Sequence, residues 1–70
     1  MSGTFTAIVK QEAGWWVGWI EEVSGVNCQE ASRDELMGSL RETLREIIDL
    51  NRQDALQAAG TNFVEEAIAV

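Results

Sequence analysis

The sequence predicts a small α+β domain with the element order β-β-β-α-β: a three-stranded antiparallel meander, a long helix and a returning strand. Three observations carry this. Two stretches rich in strand-forming residues, Thr4 to Lys10 and Trp15 to Ile20, flank a short polar segment. A serine stands three residues before a glutamate, at Ser32 and Glu35, and opens a run with apolar residues at helical spacing. The final stretch, Asn62 to Val70, carries Phe63, Val64, Ala67, Ile68 and Val70 and reads as a fourth strand. Seventy residues allow one domain, 1–70, with a thin core that often leans on oligomerisation.

Residues 1–3 are expected to be a frayed start. The first strand, Thr4 to Lys10, turns through Gln11 to Gly14 into the second, Trp15 to Ile20, which carries all three tryptophans. If Gln11 faces Gly14, then Val9 faces Trp16, Ala7 faces Gly18 and Phe5 faces Ile20. That face is wholly apolar, with small residues at its centre where a helix can approach. Phe5, Ala7, Val9, Trp16, Gly18 and Ile20 are therefore assigned to the core. The opposite face pairs Lys10 with Trp15, Ile8 with Val17 and Thr6 with Trp19, and a slip of one residue would mix the two sets. Glu21 to Gly25 forms a turn, and Val26 to Gln29 a short third strand.

The helix starts at Arg33 behind a capping box. Ser32 is expected to accept from the Glu35 amide, and Glu35 to reach back to the Ser32 amide. Leu36, Leu40, Leu44, Ile47 and Ile48 form one stripe, with Arg41, Glu42, Arg45, Glu46 and Asp49 on the remaining surface. Glu42 and Glu46, one turn apart, are mildly unfavourable neighbours that Arg45 screens. The helix runs to at least Leu50. Residues 51–59 either continue it or form a second helix after a kink, and Gly60 is placed as the stop. If the last strand lies parallel to the first, the crossover is right-handed.

The chain has 5 basic and 12 acidic residues, a formal charge of −7. Nucleic-acid affinity comes largely from lysines and arginines displacing counterions, so direct nucleic-acid binding is not expected. A basic protein partner would instead be steered by the acidic field. With no histidine, acid–base chemistry near neutral pH lacks its usual carrier. The carboxylates cluster on the helix, at Asp34, Glu35, Glu42, Glu46 and Asp49, where a solvated face is the ordinary reading. A metal-dependent nuclease of ribonuclease H type needs a carboxylate on the first strand, and only Lys10 is charged there. The lone Cys28 has no histidine to activate it, and no glycine run has phosphate-binding spacing. The chain is read as a non-enzyme with no catalytic residue, metal site or cofactor. Cys28 reads as a small buried hydrophobe in a reducing cytoplasm. No signal peptide or membrane-spanning run is recognised.

What remains is surface. Ile8, Trp15, Val17 and Trp19 share the sheet face opposite the one the helix needs, and two exposed tryptophans with two β-branched residues mark a self-association or partner face. The competing arrangement packs the helix on this face and leaves the other open. Stacking of nucleobases would need more cations than Lys10 beside the rings.

The hairpin AIVKQEAGWWVGWIEEVSGV, the stretch NCQEASRDELMGSLRETLREII and the closing EEAIAV together resemble the N-terminal domain of the HicB antitoxin family, in its stand-alone short form. Gly14, Trp16, Gly18, Ile20, Gly25, Cys28, Ser32 and Glu35 occupy the family's glycine, aromatic, small-residue, turn and helix-start places. Ser24 stands where the family mostly has proline. The resemblance implies a degenerate ribonuclease H-like fold without nuclease carboxylates. It also implies membership of a toxin–antitoxin system, in which the domain binds a small basic mRNA-cleaving toxin, HicA, and blocks its RNA-binding active site. Many members carry a DNA-binding module after this domain; no such appended domain is expected here. The alternative to an antitoxin is a structural or regulatory homo-oligomer with no toxin partner.

Overall fold

The computed structural model describes residues 4–70, and the frayed start expected at 1–3 lies outside them. The elements are β1 (Ala7–Glu12), β2 (Trp15–Ile20), β3 (Asn27–Glu30) and α1 (Arg33–Ala59), with the strands in the order β1-β2-β3, antiparallel throughout. The α+β class and the meander-then-helix order follow the sequence expectation.

The first hairpin is set by its loop. Ala13 and Gly14 both have positive φ, 51° and 85°. A two-residue loop of that conformation matches the right-handed twist of the strands it joins. Gly14 adopts it freely, whereas Ala13 does so at a cost of about 1–2 kcal/mol. The turn is therefore Ala13–Gly14 and not the expected Gln11 to Gly14, and β1 runs later than the expected Thr4 to Lys10. Ala7 lies opposite Ile20, Val9 opposite Gly18 and Gln11 opposite Trp16. This register is two residues away from the expected one. A shift of two preserves parity, so the two faces hold the residues assigned to them.

Beyond the strand ends two hydrogen bonds tie Thr6 down. The Glu21 amide donates to the Thr6 carbonyl at 2.9 Å, and the Thr6 amide donates to Glu22 Oε1 at 2.8 Å. Gly25, with φ 89°, completes the turn into β3. Val26, expected to open that strand, instead sits just before it and is 1% exposed. Val23 also packs inward from the turn.

Helix α1 is continuous over 27 residues, which settles the question left open at 51–59. That stretch, NRQDALQAA, contains neither glycine nor proline to stop a helix. Ser32 Oγ accepts from the Glu35 amide at 3.2 Å, as a capping serine should. The Glu35 carboxylate accepts from the Ser32 hydroxyl at 2.9 Å, not from the Ser32 amide as expected. Gly60 ends the helix with φ 83°, its amide donating to the Leu56 carbonyl at 3.3 Å.

The helix packs on β2 and β3. Leu36 and Leu40 are fully buried, directly above Gly18, and Ile20 and Val26 complete the core. Phe5, Ala7, Val9, Trp16, Cys28, Leu44 and Ile47 surround it, half-buried. A methyl group on Gly18 would lie 2.8 Å from the Ile8 carbonyl oxygen and 3.1–3.2 Å from the Leu40 and Leu36 methyls. Glycine is thus what lets the helix come down onto the sheet. Cys28 is partly buried, its Sγ 3.7 Å from Thr43 Oγ1 on the helix.

The returning strand does not form. Residues 62–70 carry no secondary structure and pair with no strand, and Phe63, Val64, Ile68 and Val70 are exposed. The cause is the length of α1. From Leu40 to Ala59 the helix advances roughly 28 Å, which carries the segment away from the sheet in a molecule 51 Å long. The outer edge of β1 has no neighbouring strand among the described residues.

Candidate protein-binding face

The outward face of the sheet is assembled by the pairing just described. Ile8 lies opposite Trp19, Lys10 opposite Val17 and Glu12 opposite Trp15; on the other side Val17 faces Gln29 and Trp19 faces Asn27. Trp15, Val17 and Trp19 form a row along β2. Alternate residues of a strand share a face, so the two indoles stand roughly 14 Å apart with Val17 between them. Trp15 is 47% exposed and Trp19 39%, while Ile8 and Val17 are half-buried between their neighbours.

The structure therefore brings Ile8, Trp15, Val17 and Trp19 together, and no element among the described residues covers them. The helix packs on the other face, so the competing arrangement does not occur. The cross-strand partners named from the sequence (Lys10 with Trp15, Ile8 with Val17, Thr6 with Trp19) are each displaced by the two-residue register shift.

The rim is polar. Lys10 Nζ lies 3.1 Å from Glu12 Oε2, with both side chains more than half exposed, a pair worth about 0–1 kcal/mol. Asn27 and Gln29 edge the row on the β3 side. Asn27 and Gln29 escaped the sequence reading because they belong to the face only through the β2–β3 register. The arrangement is an apolar centre with a charged and amide border, suited to docking a protein. Lys10 is its single cation, so it offers little to a phosphate backbone.

The opposite side of the sheet holds a second feature the sequence reading missed. Because α1 sits over β2 and β3, an open groove of about 420 Å³ runs between α1 and β1, floored by Phe5, Ala7 and Ile20 and walled by Leu44, Arg41 and Arg45 among others. Only the off-centre seat of the helix creates it. Elsewhere, the helix carboxylates line a solvent-facing surface, and Glu30 on β3 accepts from Ser39 Oγ at 2.6 Å. Among the described residues no group of three histidine, cysteine or carboxylate side chains converges to hold a metal ion. The hydrogen bond from the Thr6 amide holds the Glu22 carboxyl below the ordinary glutamate value. No helix among the described residues is long and apolar enough to cross a membrane. Comparison of the chain with protein-family models, with curated proteins and with solved structures gave no match.

Proposed function

We propose that this chain is a protein-binding module that docks a basic partner on the face made by Ile8, Trp15, Val17 and Trp19. The observation that carries the reading is the exposure of Trp15 and Trp19, in one row with Val17 on a sheet face that no element among the described residues covers. Large apolar patches of this kind mark interaction surfaces, and tryptophans rank among the residues that contribute most to binding. The charge of −7 would steer a basic protein toward the chain.

The partner class follows from the resemblance to HicB-type antitoxins. It is a small basic mRNA-cleaving toxin of the HicA kind, held inactive in the cytoplasm by a non-enzymatic partner. The test is the reading frame directly upstream. A product that is small, basic and histidine-bearing should co-purify with this chain and lose its RNA-cleaving activity on mixing. Absence of such a frame, or a product whose cleavage is unaffected at excess of this chain, would remove the toxin from the proposal.

A second reading uses the same surface. The row of Trp15, Val17 and Trp19 is apolar on both flanks of its centre, so a second copy could cover it in a two-fold contact that places the same residues on both sides. The chain would then be a structural or regulatory homo-oligomer. Trp19→Glu separates the two: it should abolish toxin binding in the first case and self-association in the second.

A further inference from the structure

We propose that residues 62–70 of one chain add to the open edge of β1 in a second copy and fill the groove between its β1 and α1. The donor segment is strand-forming and unpaired. Phe63 is 45% exposed, and Val64, Ile68 and Val70 are more exposed still, an unusual load of apolar side chains for a segment in water. The acceptor is equally unsatisfied. The outer edge of β1 is six residues of strand with no neighbouring strand among the described residues, and an unpaired edge of that length is a template for an added strand.

The chemistry of the two surfaces matches. The groove has an apolar floor in Phe5 and Ala7, an apolar flank in Leu44 and Ile48, and two cations in Arg41 and Arg45. Neither arginine makes an ion pair among the described residues, where the single pair is Lys10 with Glu12. In an extended segment Val64, Glu66, Ile68 and Val70 share one face. That face offers three β-branched side chains to the floor and one carboxylate to the arginines. Because α1 packs over β2 and β3, the open space beside the helix lies on the β1 side of the sheet.

The length of α1 decides which chain supplies the segment. Gly60 lies roughly 18 Å along the helix beyond Ile48, the outermost groove residue. A tail doubling back at roughly 3.3 Å per residue would spend about five residues regaining that distance. Val64 would then stay outside the groove, and only the last residues would enter. A second copy approaching in the opposite sense delivers the whole face, and exchange is reciprocal by symmetry. This contact lies across the sheet from the tryptophan face and does not depend on it.

The experiment is sedimentation of the 70-residue chain at tens of micromolar, as wild type and as Ile68→Glu, Arg45→Glu, Glu66→Arg, the Arg45→Glu/Glu66→Arg double variant and Trp19→Glu. The wild type is expected to form dimers or larger assemblies. Ile68→Glu should weaken association at least tenfold, each single charge reversal by several-fold, and the double reversal should restore most of the loss. Trp19→Glu should leave a dimer. A monomeric wild type, or association lost in Trp19→Glu and kept in Ile68→Glu, would overturn the proposal. So would an Ile68→Glu chain whose thermal stability falls by an amount independent of protein concentration, because that result places the tail in its own groove.

Discussion

Gly18→Ala probes the contact on which the fold rests. The added methyl would meet the Ile8 carbonyl oxygen at 2.8 Å and the methyls of Leu40 and Leu36 at 3.1 and 3.2 Å. The first neighbour is backbone in the adjacent strand. The other two belong to side chains 1% and 0% exposed. Accommodation requires the helix to lift or the β1–β2 ladder to open. Overpacking a tight core by one methyl costs about 1–3 kcal/mol. Replacing glycine by alanine in a strand returns about 0.5–1 kcal/mol of chain entropy. The net loss is about 1–2 kcal/mol, which lowers the melting temperature of a domain this size by roughly 5–15 °C. Gly38, on the exposed helix surface with nothing within 4 Å of its added Cβ, is the control. Gly38→Ala should stabilise by about 0.5–1 kcal/mol. Thermal unfolding followed by circular dichroism reads both. If Gly18→Ala were neutral or stabilising, the helix would not sit over β2 at this distance.

Three further outcomes are expected. Trp16→Glu should unfold the chain or nearly so, since loss of a tryptophan packed on the core costs about 3–5 kcal/mol, and a new carboxylate would face Glu30; Trp19→Glu should keep its melting temperature within a few degrees, and similar behaviour of the two would reverse the face assignment. Ser32→Ala should cost about 1 kcal/mol through the lost cap on the Glu35 amide; an unchanged urea midpoint would show that this end of the helix is held by something else. The Thr6–Glu22 bond depresses the native Glu22 pKa, so its contribution is complete above the ordinary glutamate value of about 4.3 and disappears as pH falls through the lower native value; a Thr6 amide resonance that ignores pH in that acid range would contradict the contact.

The sequence expressed some features more firmly than others, for physical reasons. The partition of the hairpin into a core face and an open face survived an error of register, because side chains alternate with a period of two and the error was two residues. The register itself depended on whether Ala13 would accept a positive φ, which composition does not announce. The stripe from Leu36 to Ile48 read correctly as one helix face, and Gly60 as its stop. Residues 51–59 were ambiguous because good helix formers continue a helix as readily as they begin another. The segment from Asn62 to Val70 was read as a strand on propensity, yet propensity names no partner, and the helix sets the start of the segment well beyond the end of the sheet. Val26 was missed as a core residue because it stands outside the strand whose alternation would have revealed it. Of the candidate face, the four apolar residues were legible from the hairpin alone. Asn27, Gln29 and the groove beside β1 required the third strand and the seat of the helix.

The most direct test of the docking face is a titration of the isotopically labelled chain with the basic toxin proposed as its partner, read on the three indole N–H resonances. Trp15 and Trp19 should shift together on binding, with those of Val17 and the amides of Ile8 and Gln29, while the Trp16 indole on the helix side stays in place. Movement of Trp16 and the α1 resonances with Trp15 and Trp19 unchanged, or no movement at all with excess partner, would contradict the account.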